Sequence, residues 1–345
     1  MPPSSNTGAK NTSLVPSENR ALIDWLAWTV KEFDPHAAIA SLGLSFLPFQ
    51  ASPGGGMGYR STLRCGHITV FFDGAENMGC HFVMSGQGCR EFEGRVKNSK
   101  NRTVAWYRLM HSLQAAGANI TRIDLAVDTV DGSLPLENVE KSVRERRVQS
   151  RFREAMMYEK IALTDTEKPT GKTIYLGSSQ GKIKIRFYDK MAERGLSPDL
   201  GSWVRAEVQC MAERAAAVVM HLCKGVEFGE LVVSCLNTYY RPINAESVNK
   251  SHCSTQDWWS AWLTTTEKIR LTSAKAVKYV TDSMEYVKRQ YGATFAMFKK
   301  YLGVAAFSDF MHDLVSTGRD RMSRKHTDMI EITNLSELLP PYHAF

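Results

Sequence analysis

Three segments of the chain alternate apolar and charged residues with the two-residue period of a β-strand. They lie at 120–132, 181–190 and 203–211. The apolar positions of the three segments are Ile123, Leu125, Val127, Ile183, Ile185, Phe187, Val204, Ala206 and Val208. The opposite positions are Arg122, Asp124, Asp128, Lys182, Lys184, Arg186, Tyr188, Lys190, Arg205, Glu207 and Gln209. The pattern predicts an antiparallel sheet that helices cover on one face only, with a charged face opposite.

Further elements are predicted around these segments from periodicity and turn residues. Strands are predicted at 23–30, 61–74 and 79–86, and a hairpin over 172–190 that turns through Gly177–Gly181. Helices are predicted at 34–44, at 101–116 with Gly117 as the C-terminal cap, and at 135–150 opening on Pro135. The glycine-rich stretches 54–59 and 85–91 are predicted to be loops, because neither matches a nucleotide-binding motif.

The order of these elements predicts an α+β fold with a mainly helical C-terminal region. From residue 211 onward the pattern turns helical, and the boundary falls between 211 and 245. The Pro- and Ser-rich leader, residues 1–18, is predicted to be disordered. We therefore predict three parts: the leader 1–18, a sheet domain 19–240 and a helical region 241–345. Trp258, Trp259 and Trp262 in the last part are interpreted as packing residues.

Composition narrows the function classes. The 345 residues are 43% hydrophobic and 23% charged, which is typical of a globular protein, and the formal net charge is +7. A positive excess favours a polyanionic partner, although a membrane surface fits equally well on charge alone. The seven cysteines contain no CxxC pair, which argues against a zinc ribbon. The sequence contains no apolar stretch of the roughly 18 residues that a membrane helix needs, and we expect a cytoplasmic protein.

The charged face is the candidate site. If the three strands share a sheet in the same orientation, three carboxylates, several cations and Tyr188 converge. Carboxylate oxygens suit Mg²⁺ or Mn²⁺, and such a metal polarises phosphate oxygens. A tyrosine beside cations is a plausible nucleophile for transesterification on DNA. Two alternatives stay open: Tyr188 packs with a satisfied hydroxyl, or the aspartates only pair with Arg122 and Arg186.

A cationic cluster at 141–154 is a candidate contact for DNA phosphates. Such a run is often only a solvated surface, so this alternative also stays open. The predicted DNA-binding residues are Arg144, Arg146, Arg147, Arg151 and Arg153, together with Lys182, Lys184 and Arg205 from the charged face. The sequence has no HxH or HExxH motif, which argues against a histidine-held catalytic metal.

The motifs RIDLAVD, IYLGS followed by IRFYDK, and RAEV, in this order, resemble the replication initiation factor family. The resemblance covers roughly residues 20 to 240. It implies that Tyr188 is the nucleophile and that Asp124 and Glu207, with Asp128 less securely, bind Mg²⁺ or Mn²⁺. Arg186, Arg205 and Lys190 would then contact the phosphate or the transition state.

The resemblance also implies the biology of the reaction. Family members initiate rolling-circle replication by nicking origin DNA, keeping the 5′ phosphate on the tyrosine and leaving a 3′ hydroxyl for a polymerase. The chain has no helicase motif, so a host helicase or supercoiling would separate the strands. A homodimer and a terminating role for Tyr175 are open. The alternative function is a non-catalytic regulator that binds the origin with the same fold.

Overall fold

The fold consists of two compact units, Met1–Ala276 and Val277–Phe345. The computed structural model describes residues 15–96, 99–161, 163, 171–267, 280–322 and 326. Most of the predicted leader, residues 1–14, lies outside these described residues. All of the predicted site residues belong to the first unit. None of the helices among the described residues is long and apolar enough to cross a membrane.

A ten-stranded sheet dominates the described part of the first unit. Its strands, in spatial order, are β2 (Gln50–Ser52), β3 (Ser61–Cys65), β4 (Ile68–Phe72), β5 (Cys80–Met84), β1 (Arg20–Val30), β6 (Asn119–Thr129), β11 (Val204–Met211), β10 (Ile183–Asp189), β9 (Lys172–Leu176) and β8 (Ala155–Glu159). Every neighbouring pair is antiparallel. A separate two-stranded sheet joins β7 (Val148–Gln149) to β12 (Arg241–Pro242). The predicted antiparallel sheet is confirmed.

Helices connect the strands and supply the hydrophobic core. They are α1 (Pro35–Ser41), α2 (Gly86–Arg95), α3 (Ser99–Ala115), α4 (Leu136–Arg144), α5 (Lys190–Glu193), α6 (Glu213–Cys223), α7 (Phe228–Tyr239), α8 (Asp257–Glu267) and α9 (Val280–Arg319). Helix α6 packs on β6 and β11, and the predicted apolar positions Leu125, Ile185 and Phe187 are fully buried in the core cluster. The apolar face is therefore the packed face of the sheet, as the alternation predicts.

The first unit extends past the predicted boundary at residue 240. In α8, Trp259 and Trp262 are buried in the same core cluster as the sheet, and Trp259 lies edge-on to Phe187 with ring centroids 6.1 Å apart. The Trp262 indole donates a hydrogen bond of 2.9 Å to the Thr129 hydroxyl at the end of β6. The first unit therefore includes residues 241–276, because these tryptophans complete the core. Their interpretation as packing residues agrees with the structure.

Three local predictions differ from the structure. Residues 85–91 do not form a loop: the Ser85 side chain accepts from the Gly88 backbone N–H and caps α2. The helix predicted over 135–150 ends at Arg144, because Arg146 adopts a positive φ of 57° and the chain turns into β7. Strand β8 was not predicted, since its AMMYE sequence lacks strict alternation.

The described part of the second unit is α9 and the residues just after it. Non-helical backbone at Gly303, with φ of 79°, breaks α9 into two helices. The Phe298 and Phe310 rings, one on each side of the break, lie edge-on with centroids 5.4 Å apart. A helical C-terminal region is confirmed for the described residues.

Candidate active site on the polar face of the sheet

The polar positions of the central strands form rows across the sheet, because directly paired residues point to the same face. The first row, from β1 to β9, is Arg20, Asp128, Arg205, Tyr188 and Thr173. The second row, from β6 to β9, is Ala126, Glu207, Arg186 and Tyr175. The third row, from β1 to β10, is Trp25, Asp124, Gln209 and Lys184. The structure thus brings the predicted tyrosine, carboxylates and cations onto one face.

Tyr188 is the centre of this face. Its hydroxyl donates to Glu207 Oε2 at 3.3 Å and accepts from Lys190 Nζ at 3.4 Å. The Arg186 guanidinium carbon lies 5.0 Å and the Lys190 Nζ 5.2 Å from the ring centroid. The carboxylate that accepts from the hydroxyl is the group that would take the phenol proton. The cations around the ring would stabilise the phenolate.

Burial keeps the resting phenol neutral. Tyr188 is 4% exposed, and burial raises its pKa well above the usual range. The positive charges of Arg205 and Arg186 lower the pKa, but the negative charge of Glu207 adds to the effect of burial. The phenol of Tyr188 is therefore neutral in this structure, and its hydroxyl donates to Glu207.

Lys190 follows the strand that carries Tyr188 and is fixed by a local ion pair. It is the first residue of α5, whose N-terminal cap is Asp189, and its ammonium contacts the Glu193 carboxylate within the same helix. Burial and the charge of Arg205 lower the Lys190 pKa to about 8. Lys190 therefore gains or loses a proton near neutral pH. Its ammonium lies within hydrogen-bond distance of the Tyr188 hydroxyl.

Asp124 and Glu207 form a pair of buried carboxylates on neighbouring strands. Each has an arginine partner: Arg122 binds Asp124 at 2.9 and 2.5 Å, and Arg186 binds Glu207 at 2.6 and 2.7 Å. Burial, with a smaller contribution from the charge of Glu207, raises the pKa of Asp124 to about 7 against the opposing hydrogen bonds and charge of Arg122. The negative charge of Glu207 thus acts against ionisation of Asp124.

Carboxylate oxygens are the ligands that a hard divalent cation prefers in proteins, and one or two carboxylates hold Mg²⁺ in phosphoryl-transfer sites. In this structure, however, both oxygens of Asp124 accept from Arg122 and both oxygens of Glu207 contact Arg186. A cation at this pair would therefore compete with the two arginines. The described residues contain no cluster of three or more His, Cys, Asp or Glu placed for a metal.

Asp128 and Arg205 belong to a separate buried ion network. Arg205 binds Asp128 at 2.6 and 2.9 Å and Asp24 at 2.7 Å, and Arg20 binds Asp128 at 2.8 Å. The two arginines, acting against burial, hold the Asp128 pKa well below its usual range. Asp24, which lies at a register shift in β1, has its pKa lowered to about 2, chiefly by Arg205.

Comparisons with known proteins now identify the family. A sequence model of the replication initiation factor family matches residues 118–315, which is more than half of the chain. The chain belongs to the replication initiation factor family. A model of the rolling-circle replication initiation protein N-terminal domain matches residues 20–112. The family matches thus reach residue 315, well past the predicted limit of 240.

Two relatives extend this family assignment over most of the chain. The chain is 26% identical over 349 residues to the "Putative DNA relaxase NicK" of Bacillus subtilis (strain 168), covering 96% of each protein. It also resembles the solved structure of a rolling-circle replication initiator protein from Geobacillus stearothermophilus, with 29% identity and a TM-score of 0.67. That alignment covers 74% of this chain and all of that one. The predicted resemblance is confirmed.

Two predicted roles on this replication initiation factor do not fit their surroundings. Asp128 was predicted as a metal ligand, but its two oxygens accept from Arg205 and Arg20. Arg205 was predicted as a DNA contact, but it is 3% exposed and its guanidinium is occupied by Asp128 and Asp24. Both residues tie strands together, because a buried charge needs a partner of opposite sign.

The other predicted DNA-binding cations lie mostly at the surface. Lys182 pairs with Glu213 at 2.8 Å, and Arg144 pairs with Glu140 at 2.7 Å. Arg147 pairs with Glu145 at 3.2 Å. Arg146, Arg151 and Arg153 are exposed, and Lys184 is partly buried on the polar face. A groove of about 550 Å³ is lined by Arg151, Arg153, Lys182 and Arg214.

Asp24 and Trp25 are polar-face residues that the periodicity did not identify. The β1 register shifts between Ile23 and Trp25, and strict alternation through IDWLAWTV misses the shift. The only sequence signal is an aspartate inside an apolar strand. A buried aspartate in such a position predicts a cationic partner, here Arg205.

Proposed function

We propose that the chain nicks and rejoins one strand of origin DNA at a specific site, with Tyr188 as the nucleophile. Membership of the replication initiation factor family supports DNA nicking at the start of rolling-circle replication. The observation that carries the assignment to Tyr188 is its hydroxyl, which lies 3.3 Å from the Glu207 carboxylate and 3.4 Å from the Lys190 ammonium. A buried tyrosine that only packs also satisfies its hydroxyl, but an acceptor together with a cation is the pair of groups that would take the phenol proton and stabilise the phenolate.

The proposed reaction is a transesterification. The Tyr188 Oη forms a bond to the scissile phosphorus while the bond from phosphorus to the 3′ oxygen breaks. The phenol proton passes to Glu207, and the departing 3′ oxygen takes a proton from water. The products are a 5′-phosphotyrosine and a free 3′ hydroxyl, and reversal of the same step rejoins the strand. A host polymerase would extend the hydroxyl while a host helicase separates the strands.

Asp124 and Glu207 are the residues that would hold Mg²⁺ or Mn²⁺. When bound, the cation would supply charge to polarise the scissile phosphate. Arg186 is the proposed phosphate contact, since its buried Nε has no hydrogen-bond partner in the described part of the protein. Lys190 would stabilise the phenolate as it forms, because its ammonium already contacts the Tyr188 hydroxyl.

The experiment compares wild type, Tyr188→Phe and Tyr175→Phe on supercoiled plasmid that carries the native replicon region, with Mg²⁺ or Mn²⁺ present. Tyr175 is the matched control, because it lies on the neighbouring strand and faces the same side opposite Arg186. We expect wild type and Tyr175→Phe to give open circles with protein on the 5′ end. Tyr188→Phe should bind the DNA but nick at least about a thousandfold more slowly.

Each other outcome has a definite meaning. Equal nicking by wild type and Tyr188→Phe would place the nucleophile elsewhere. Loss of nicking only in Tyr175→Phe would exchange the roles of the two tyrosines. DNA binding without nicking by the wild type would favour a non-catalytic origin-binding regulator.

A further inference from the structure

A β-bulge in β1 brings a tryptophan onto the polar face. Ile23 pairs with Leu125 of β6, but the next pair is Trp25 with Asp124, so Asp24 is the extra residue on β1. In a regular strand with no bulge, alternation would place Trp25 on the same face as Ile23, in the core. The bulge instead turns Trp25 towards the face that carries Asp124 and Glu207. Bulges commonly redirect side chains next to active sites.

Trp25 is unlike most of the other tryptophans in the described residues. Trp28, Trp106, Trp203, Trp259 and Trp262 are buried, with 3% exposure or less, whereas Trp25 is partly exposed. The Arg122 guanidinium carbon lies 4.3 Å from the centre of the Trp25 ring. The same guanidinium binds Asp124, so the indole and the proposed metal carboxylate share one cation. An accessible aromatic surface thus adjoins the charged centre of the site.

We propose that Trp25, with Arg122, is a stacking platform for an unpaired base of the DNA strand that is cut. This inference rests on the proposed function. A nick exposes single-stranded DNA, whose bases stack on aromatic side chains while cations follow the phosphates. Arg122 beside the indole supplies the cation, and Lys184 in the same row supplies another. Stacking does not read base identity, so the platform positions the strand.

The position of Trp25 identifies which base it would hold. Trp25 lies three strands and two rows away from Tyr188 on the same face. With strands about 4.8 Å apart and residues about 3.3 Å apart along a strand, the separation is about 20 Å. The stacked base is therefore a few nucleotides from the scissile phosphate, and the platform would fix the path of the strand up to Tyr188.

The test measures binding of single-stranded oligonucleotides that span the mapped nick, in EDTA so that no cleavage occurs. Each position in turn carries an abasic site. The proteins are wild type, Trp25→Phe, Trp25→Leu and Phe33→Ala. Phe33→Ala is the control because Phe33 is an exposed aromatic residue, 57% exposed, just beyond the end of β1. Leucine retains an apolar side chain at position 25 without an aromatic face, which protects the fold.

For wild type, we expect one abasic position near the nick to weaken binding about 5- to 100-fold. Trp25→Leu should bind the intact oligonucleotide more weakly than wild type does, by the same factor. An abasic site at the sensitive position should then not weaken the binding of Trp25→Leu any further. Trp25→Phe should retain most of the sensitivity, and Phe33→Ala all of it. This pattern links one base to one side chain, which a merely structural role of Trp25 would not produce.

Two results would overturn the inference alone. One is a wild type that nicks but shows no sensitive position; the other is a Trp25→Leu variant that keeps the full abasic effect. A wild type that nicks no DNA would overturn the proposed function and, with it, this inference. An unchanged far-ultraviolet circular dichroism spectrum and a cooperative urea-unfolding transition of Trp25→Leu confirm that binding is compared between folded proteins.

Discussion

At the scale of single residues, opposing effects set the charge of each group on the polar face. Tyr188 and Asp124 are both buried, and burial raises the pKa of both. Asp24 is partly buried, yet its pKa falls to about 2 because Arg205 contacts it directly. Residues of one charge type thus differ in charge on one face: the arginine holds Asp24 as an ion, whereas burial favours the protonated form of Asp124.

Asp124→Asn should stabilise the protein at pH 8 and slow nicking. The folded-state pKa of Asp124 is about 7 against an ordinary value of 3.8 for this side chain, so the folded state binds more protons between these two pH values. The free energy of unfolding of the wild type therefore falls as pH rises from about 4 to 7. Asparagine does not titrate, so Asp124→Asn does not lose this stability. We expect a gain of about 1–3 kcal/mol at pH 8, below the roughly 4 kcal/mol of the full shift, because Arg122 loses its ion pair.

Denaturant unfolding of wild type and Asp124→Asn at several pH values checks this prediction. The gain should vanish below about pH 3, where Asp124 is protonated in both the folded and the unfolded state. Nicking in Mg²⁺ should fall about a hundredfold or more, because the loss of a ligand removes several kcal/mol of transition-state stabilisation. Wild-type nicking should itself slow below pH 7 and recover with added Mg²⁺. A less stable Asp124→Asn at pH 8 would show that the ion pair with Arg122 outweighs burial.

At the scale of elements, the buried ion network joins three strands that carry the site. Arg205 on β11 binds Asp128 on β6 and Asp24 in the β1 bulge. The network lies in the row of Tyr188, since Arg205 is the cross-strand partner of that tyrosine. It therefore fixes the bulge of β1 relative to β6 and to β11, the strand that pairs with the strand of Tyr188.

Arg205→Met should destabilise the protein by about 3–5 kcal/mol, because it leaves two buried carboxylates without their main cation. The depressed pKa values of Asp24 and Asp128 mean that the network stabilises the fold above about pH 4. This contribution is lost as pH falls towards 2, so the difference between wild type and Arg205→Met should shrink there. Urea unfolding at pH 7 and pH 3 measures the difference.

Lys182→Met is the matched control for this prediction. Lys182 also pairs with a carboxylate, that of Glu213 at the start of α6, but both side chains are more than half exposed. Solvent screens such a pair, so we expect little change in stability at either pH. Equal effects of the two substitutions would contradict a structural role for the Arg205 network.

The same elements show how far the sequence predicts the fold and the site. Alternation places Asp124, Glu207, Arg186 and Tyr188 correctly, because in regular strands the two-residue period alone decides the face. It fails at the β1 bulge, where one extra residue reverses the faces of Trp25 and the residues after it. It also cannot predict how each carboxylate is paired: Asp124 and Asp128 both lie on the polar face, but Asp124 has one arginine partner and Asp128 has two.

At the scale of the whole molecule, the predicted and observed divisions of the chain differ in a way that truncation can measure. A chain that ends at Ala276 keeps all of the first unit, including α8. A chain that ends at Tyr240 loses Trp259 and Trp262, which are 0% and 1% exposed in the shared core. Truncating one buried tryptophan to alanine costs about 3–5 kcal/mol. Loss of two approaches the roughly 5–15 kcal/mol of a whole domain.

We therefore expect the chain ending at Ala276 to unfold cooperatively within about 5 °C of the full-length protein, because its core is intact. The chain ending at Tyr240 should lack a cooperative transition and expose its apolar surface to a hydrophobic dye. Thermal unfolding followed by near-ultraviolet circular dichroism distinguishes the two, since that signal reports packed tryptophans. A folded 1–240 chain would instead support the boundary predicted from the sequence. An unfolded 1–276 chain would mean that the first unit depends on the second for its stability.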